Sequence, residues 1–224
     1  MAITYPLVTG WYESFTTAPA RTKDVGTGSN RKAYAIIGNG DPALTPSGMT
    51  VGSDTLSLVG STFTDTGNVK WRLYAGDLTV SGAQTCTPSW SGTPTPSSGS
   101  TTALLVVQGG GALTVDGILA LAEWTTGGGG GSASRTVTTT VGDSAVVMFG
   151  GGAGRGVTAA TATSGTTLIA SDSIYCDAGR ITASGSSTSP SLDFGAFQSG
   201  TSIGFAVREA GGSPAESACT VALM

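Results

Sequence analysis

The stretch VKWRLYA, residues Val69–Ala75, carries an apolar side chain at every second position. A lysine, an arginine and a tyrosine stand between these apolar residues. Successive side chains of a β-strand point to opposite faces of a sheet, whereas one face of a helix repeats every 3.6 residues. The stretch therefore predicts a β-strand with one buried face and one polar face.

Further segments on both sides of this stretch also have strand patterns. Thr55–Leu58 and Ile203–Val207 alternate in the same way, and Thr136–Val141 does so less regularly. Ala103–Val107 and Ala145–Phe149 are continuous apolar runs, which are typical of strands buried on both faces. Turn signals such as Asn-Gly, Pro-Ser-Gly and Asp-Gly separate the runs. Short strands divided by glycine-rich turns predict an all-β sandwich or barrel.

The length of 224 residues is enough for one large sandwich. Residues 1–25 combine aromatic residues with many small polar ones, which predicts an N-terminal arm or an extra strand, and residues 26–224 are predicted to form a single β-sandwich domain. Ser91–Thr102 and Thr125–Ser134 are low in complexity and predict mobile surface loops within that domain. Gly117–Trp124 could form a short helix, although the preceding Asp-Gly turn favours a strand.

The composition is poor in charge. Asp, Glu, Lys and Arg make up 11% of the chain and the formal net charge is -4, against about 25% charged residues in average globular proteins. The chain has 36 Gly, 35 Thr and 27 Ser, so the solvated faces must be built largely from small neutral side chains. No basic stripe is present, which argues against a nucleic-acid partner because such binding depends on clustered Lys and Arg.

Cysteine content and hydropathy exclude several other classes. Cys86, Cys176 and Cys219 are odd in number and widely spaced, so they indicate neither a disulfide framework nor a zinc site. No run approaches the roughly 18 apolar residues of a membrane span. The start MAITYPLVTGWYESF lacks the basic residues and apolar core of a signal peptide. We therefore expect no membrane partner and synthesis in a reducing cytoplasm.

One short segment has the spacing of a dinucleotide-binding turn. The apolar run Ala33–Ile37 leads into Gly38-Asn-Gly40-Asp-Pro-Ala43. In dinucleotide-binding folds a helix follows this turn and presents its N-terminal amides to the pyrophosphate. Here Pro46 and Gly48 fall where that helix should run. The segment therefore predicts a strand that ends in a loop.

Two serine motifs also lack the structure that their chemistry needs. Gly200-Thr-Ser202-Ile-Gly204 fits the nucleophile elbow, but the chain contains no histidine to serve as the base. The residues after Ser202 also read as a strand rather than a helix. Ser29 and Lys32 have Ser-x-x-Lys spacing, which requires a helix to bring Lys beneath Ser, whereas Lys32 opens a predicted strand. No catalytic serine is predicted.

The carboxylates give no metal site and no defined catalytic pair. Asp65-Thr-Gly matches the aspartic-protease tripeptide, which works only as two copies, and with the following Asn it predicts a β-turn. Asp172 with Asp177, or Asp41 with Asp54, could form the pair of a glycoside hydrolase, which the sequence alone leaves open. Histidine is absent and no dense Asp cluster occurs, so no metal or other cofactor is predicted.

Aromatic residues are the remaining candidates for binding. Trp71 lies on the apolar face of its strand and is predicted to be core. Trp90 and Trp124 border the low-complexity segments, where each could stack on a sugar or cap the core. With Trp11 and Tyr12 of the N-terminal segment they form the set of candidate binding residues.

The order of the segments resembles that of a known family. GSNRKAYAII, MTVGSDTLSLVGS, VKWRLYAG and LTVSGAQTCTPSWSG resemble the β-sandwich units of tailed-bacteriophage virion surface proteins. The later segments VDGILALAEW, SRTVTTTVGDSAVVMF, TTLIASD and SIGFAVREA continue the likeness, which spans Gly28–Ala210. The chain departs from the pattern in its GNGD loop and in lacking a tandem glycine before the leucine of the second strand.

The resemblance implies an antiparallel two-sheet, jelly-roll-like sandwich with long loops and an extended N-terminal arm. It also implies a non-enzymatic virion protein, in the first place a capsid decoration (cement) protein that binds and stabilises the assembled shell. Its partners would be the major capsid protein or other virion proteins and further copies of itself, on the capsid exterior rather than the tail. The alternative is a tail-fibre or receptor-binding module that recognises a host glycan.

Overall fold

The computed structural model describes residues 3–14, 20–93, 99–118, 120–125, 131–151, 160–163, 165–172, 175–194 and 199–210. Within these ranges the regular secondary structure is entirely β, without helices, and every strand pair is antiparallel. The predicted all-β class is confirmed. No helix in the described ranges has the length and apolar character needed to cross a bilayer.

The first sheet has eight strands among the described residues. They are β1 (Thr4–Ser14), β2 (Arg21–Asp24), β3 (Arg31–Asn39), β4 (Pro46–Val51), β5 (Asp54–Thr64), β6 (Lys70–Leu78), β7 (Ala83–Trp90) and β8 (Gly99–Gln108). Their order is β1-β8-β3-β6-β5-β4-β7-β2, and the sheet curls until it is nearly closed. The first two strands in sequence are therefore its two edges.

The second half of the chain forms three further sheets within the described ranges. Its strands are β9 (Leu113–Asp116), β10 (Ala122–Thr125), β11 (Gly131–Ser134), β12 (Val137–Thr138), β13 (Ser144–Gly151), β14 (Ala160–Ala162), β15 (Thr167–Asp172), β16 (Cys176–Thr182), β17 (Ser187–Thr188), β18 (Ser191–Phe194) and β19 (Ser199–Glu209). A six-stranded sheet has the order β10-β19-β13-β16-β15, with β9 also on β19. The others are β11-β18-β14 and β12-β17.

The buried apolar side chains form three layers. One lies inside the curl of the eight-stranded sheet, one between that sheet and the six-stranded sheet, and one between the six- and three-stranded sheets. In β3, Ala35 and Ile37 face the inside of the curl while Tyr34 and Ile36 face the six-stranded sheet. Tyr34 stacks there on Phe205 at 4.3 Å between ring centroids.

This layering explains the continuous apolar runs of the sequence. Ala103–Val107 in β8 and Ala145–Phe149 in β13 are buried on both faces, as predicted. The strand predicted over Val69–Ala75 is confirmed from Lys70 onward, with Trp71 and Leu73 buried against the six-stranded sheet. The predicted polar face is wrong, because Tyr74 is buried inside the curl. The eight- and six-stranded sheets stack face to face. A sandwich of only two sheets and jelly-roll connections between the strands remain predictions.

The N-terminal segment is built into the eight-stranded sheet. β1 pairs with β8 along its length, and β2 pairs with β7. The Lys23 ammonium on β2 donates to the Thr9 hydroxyl on β1 at 2.7 Å and lies 5.7 Å from the centre of the Trp11 ring. The two edges thus meet at a seam, and the predicted boundary between residues 1–25 and the sandwich falls within one sheet.

Parts of both low-complexity segments, which were predicted to be loops, belong to strands. Ser91–Thr102 gives its last four residues to β8, where Thr101 and Thr102 are fully buried. Thr125–Ser134 ends in β11, and Thr125 itself closes β10. The prediction is wrong at these residues, because threonine is a good strand residue when a neighbouring strand is available, which local composition does not reveal. Residues 94–98 and 126–130 lie outside the described ranges.

Candidate functional site

The strands of both large sheets end together at one end of the molecule. In the eight-stranded sheet Ser14 pairs with Gly99, and Asn39 pairs with Ser100. In the six-stranded sheet Gly151 pairs with Gly200. The two sets of strand ends are adjacent, because a Cβ on Gly10 of β1 would lie 2.6 Å from the Tyr175 side chain that precedes β16. We call this the loop end, and the end with the β4–β5 and β6–β7 turns the opposite end.

Buried polar groups at the opposite end are well paired. The guanidinium of Arg31, only 2% exposed, donates to the backbone carbonyls of Gly28, Val25, Gly26 and Val80 at 2.5–3.1 Å. A charged donor that serves several carbonyls fixes the chain before β3 and the turn after β6 in one arrangement. This end is therefore a structural anchor.

The four aromatic residues predicted for binding all lie towards the loop end. Trp11 and Tyr12 are on β1 opposite Thr102 and Thr101, and Trp90 and Trp124 are on strands that end there. Trp11 is 5% exposed and Trp124 is 7% exposed, so both pack in apolar layers. Trp90 is partly buried against the layer inside the curl. The structure brings the four to one end but in three different layers.

The Trp124 ring is part of an aromatic cluster. It stacks on Phe194 at 4.6 Å between centroids and meets the edge of Phe149 at 5.1 Å. Aromatic pairs in such arrangements stabilise a core beyond their buried area. Trp124 therefore caps the layer between the six- and three-stranded sheets.

A pair of tyrosines lies between the two large sheets at the loop end. Tyr12 of β1 stacks on Tyr175 with centroids 5.8 Å apart and an interplanar angle of 24°. Both rings are half-buried. The pKa of Tyr175 is raised above its usual value, mainly by burial and to a smaller extent by the nearby Tyr12. Sequence reasoning missed Tyr175, because its segment carries no signal that pairs it with a residue more than 160 positions earlier.

A carboxylate joins the two large sheets near the same end. Both oxygens of Glu123 on β10 accept from Thr66, one from the backbone N–H at 3.2 Å and the other from the hydroxyl at 2.5 Å. Thr66 belongs to the predicted Asp-Thr-Gly-Asn turn, which is confirmed by the hydrogen bond from Asn68 N–H to the Asp65 carbonyl at 3.0 Å. The turn is thus held to the neighbouring sheet.

The Asp65 carboxylate is fully engaged in structure. One oxygen accepts from the backbone N–H groups of Gly67 and Val69, and the other accepts from the Trp71 indole N–H at 2.9 Å. A protease carboxylate must face a second carboxylate and share its proton. Asp65 instead orients the turn and the buried Trp71 ring.

The Gly38-Asn39-Gly40 segment is a strand that ends in a loop, as predicted. A Cβ at Gly38 would lie 2.7 Å from Cη2 of Trp71 and closer still to two other ring atoms. The Asn39 amide oxygen accepts from Asp41 N–H at 2.8 Å, which turns the chain out of β3. The first glycine is therefore required by the packing of Trp71 and not by a phosphate.

The serine motifs likewise have structural roles. Ser202 lies inside β19 and donates to the Ala122 carbonyl at 3.3 Å. Lys32 is on β3 and pairs with Asp77 at 2.5 Å, away from Ser29. Neither arrangement provides a nucleophile with an adjacent base.

Of the two predicted carboxylate pairs, Asp41 and Asp54 lie at different ends of the eight-stranded sheet, and the structure does not test Asp172 with Asp177. Asp54 accepts from Thr79 and Val80 in the turn after β6 at the opposite end, far along the sheet from Asp41. Asp177 is fully buried on β16, while the side chain of Asp172 lies outside the described residues. In the described ranges no group of three or more Cys, Asp or Glu could hold a metal ion.

Buried polar atoms without a hydrogen-bond partner are concentrated at the loop end. In the part of the chain that the structure describes they are Trp11 Nε1, Asn39 Nδ2, Ser100 Oγ, Thr101 Oγ1, Thr102 Oγ1, Trp124 Nε1 and Thr201 Oγ1. All are neutral, and all belong to residues within the four positions of a strand that are closest to this end. Unpartnered buried polar atoms therefore distinguish the loop end from the opposite end in the described ranges.

Comparison with known proteins adds no assignment. No protein-family model matches the chain, and neither the curated proteins nor the solved structures contain a significant match.

Proposed function

We propose that the chain is a non-enzymatic structural protein of a bacteriophage virion, and that it is a capsid decoration protein which binds the assembled shell through its loop end. The observation that carries this proposal is that strands of both large sheets end together at the loop end, above a core of fully buried side chains. Such a scaffold holds one end rigidly against a partner while the rest of the molecule faces solvent.

Charge and packing support this mode of attachment. The chain has few charged residues, and the described loop-end turns expose small side chains such as Ala43 and Thr93. Contacts made by small neutral groups lose little strength at high salt, unlike contacts between charged surfaces. The stacked eight- and six-stranded sheets would correspond to the two-sheet, jelly-roll-like sandwich of the virion proteins that the sequence resembles.

The N-terminal segment is not the attachment point in this proposal. An extended arm would bind a neighbour by adding a strand to its sheet. Here β1 and β2 each pair on one side with a strand of the same chain, β8 and β7, and on the other side they face each other across the seam that Lys23 bridges. Contacts with the shell or with other copies therefore fall to the loop end.

Binding to purified capsids tests the proposal. We expect saturable binding that changes little between low and moderate salt, and loss of binding in Ala43→Arg and Thr93→Arg, which place a charge at the loop end. The matched controls are Ser53→Arg and Ser81→Arg, on exposed turns at the opposite end. Immunogold labelling of virions should mark the head. Label on tail or fibre tips alone, or equal effects of both variant pairs, would refute decoration through this end.

The second candidate is a receptor-binding module for a host glycan. The observation that favours it is the half-buried Tyr12–Tyr175 stack at the loop end, because aromatic rings are the usual platforms for sugar faces. A glycan-array screen followed by calorimetry tests it, with Tyr175→Ala expected to abolish binding and Tyr34→Phe as a buried aromatic control. Unchanged glycan binding by Tyr175→Ala would exclude this platform.

A further inference from the structure

Four of the unpartnered polar atoms share one face of three neighbouring strands. Trp11 on β1 pairs with Thr102 on β8, and Ser100 on β8 pairs with Asn39 on β3. All four side chains are on the inside of the curled sheet, on the face that also carries Ile37. Each residue is at least 95% buried.

Their register places these four residues at neighbouring positions on that face. Cβ atoms of directly opposed residues in antiparallel strands lie about 4.5–5.5 Å apart, within reach of a common hydrogen-bonding group. The Asn39 amide oxygen already accepts from Asp41 N–H, which leaves the Nδ2 group as a donor. With Trp11 Nε1 the cluster has two nitrogen donors, and the hydroxyls of Ser100 and Thr102 can both donate and accept.

The surroundings favour a neutral, oxygen-bearing occupant. Two cations on the strands around this face are already engaged: Lys23 donates to Thr9, and Arg72 donates to Thr62 Oγ1 and the Pro46 carbonyl. A buried polar group destabilises a fold unless it is hydrogen-bonded, and native proteins pair nearly all such groups. Two N–H donors beside two hydroxyls match an oxygen that accepts from the nitrogens and exchanges hydrogen bonds with the hydroxyls.

We propose that Trp11, Asn39, Ser100 and Thr102 form an internal site that binds hydroxyl oxygens. The source of the oxygen is internal water or the hydroxyl of a sugar unit that enters from the loop end. Internal waters make about three hydrogen bonds to otherwise unpaired buried groups, which four neighbouring polar atoms can supply. The site is independent of the virion role, because it requires only the inner face of one sheet.

The sign of a stability change tests whether the site is occupied. In Thr102→Val a bound hydroxyl loses the hydrogen bond that it makes with Thr102, so the Tm should fall by about 2–4 °C. The reference variant is Thr139→Val, since Thr139 is also buried and its hydroxyl donates to the Gly185 carbonyl at 2.7 Å. We expect both variants to lower the Tm. A Tm that rises in Thr102→Val while it falls in Thr139→Val means a dry site and overturns the proposal.

The indole N–H signal of Trp11 separates the two sources. It is assigned by its loss in Trp11→Phe and followed by NMR in water and during titration with neutral monosaccharides. A cross-peak to long-lived water that no sugar changes identifies internal water. A saturable shift, weakened roughly threefold to tenfold by Thr102→Val, identifies a sugar hydroxyl. The absence of both the cross-peak and the shift refutes the site.

Discussion

Replacing Gly38 by alanine should destabilise the fold strongly, although the same change in most strands is favourable. Alanine in a strand interior is usually better than glycine by about 0.5–1 kcal/mol, because glycine loses more freedom on folding. At Gly38, however, the new methyl group would lie 2.7 Å from one atom of the Trp71 ring and nearer to two others. Trp71 is fully buried, so the ring has no solvent-filled space to move into.

The magnitude follows from what must shift. Overpacking a well-filled core costs about 1–3 kcal/mol. If the ring moves away, the hydrogen bond from its indole N–H to the Asp65 carboxylate, 2.9 Å long, is lost as well, at about 1.5–3 kcal/mol for a charged acceptor. After the favourable glycine-to-alanine contribution, the net loss is about 2–5 kcal/mol. For a chain of this size each kcal/mol lowers the Tm by about 2–4 °C.

Thermal unfolding followed by circular dichroism measures the effect. The matched control is Gly48→Ala, also in a strand, where the nearest atoms to the new Cβ are on Ser89 at 3.8 and 3.9 Å. We expect Gly48→Ala to leave the Tm unchanged or slightly raised. In the background of Trp71→Leu, Gly38→Ala should cost much less, which a double-mutant cycle would show. Equal Tm values for the two alanine variants would refute the explanation of Gly38 by ring packing.

Further predictions concern buried and charged groups at the opposite end and inside the curl. Arg31→Met removes the donors to several buried carbonyls and should lower the unfolding free energy by at least about 3 kcal/mol in urea titrations; a loss below about 1 kcal/mol contradicts that role. Burial raises the pKa of Cys86 to about 11, so peptide mapping after iodoacetamide at pH 8 should find it unmodified until the protein is unfolded. Rapid modification of the native thiol would be inconsistent with this. Burial works to raise the pKa of Asp54, but hydrogen bonds from Thr79 and Val80 outweigh it and lower the pKa. A group with a lowered pKa stabilises the fold at pH values above its unfolded-state pKa, and this stabilisation is lost as the pH falls through its folded-state pKa. The Tm of the unmodified protein should therefore exceed that of Asp54→Asn by less at pH 2 than at pH 5. A Tm difference that stays constant over this range would contradict the prediction.

Strand positions were predictable where packing leaves a local imprint on the sequence. The strand over Val69–Ala75 and the burial of Ala103–Val107 and Ala145–Phe149 on both faces are confirmed, although the second face of Val69–Ala75 is buried too. The Asp65 turn was predictable for the same reason, because Asp, Gly and Asn have strong local turn preferences. These features depend on interactions within a few residues.

Features that depend on register between distant strands were not predictable. The contact of Tyr12 with Tyr175 and the shared face of Trp11 and Thr102 join residues that are 163 and 91 positions apart in the chain. Composition even pointed the other way at Thr102, because Ser/Thr-rich segments are typical of loops. One sequence carries no record of which strand lies beside which, so the layers at the loop end and the unpartnered polar cluster could be found only in the folded structure.

The position of β1 at the edge of a nearly closed sheet also constrains how the chain folds. Thr4 lies opposite Gln108, 104 positions later, so β1 leaves the ribosome long before its partner β8 exists. Contacts between such distant segments close slowly. The seam between β1 and β2 therefore forms late in folding. Until then β1, the strand that carries Trp11, has unpaired backbone groups. A second copy offers the same β8 register to that edge, which makes a β1-exchanged dimer the expected side product of refolding at high concentration.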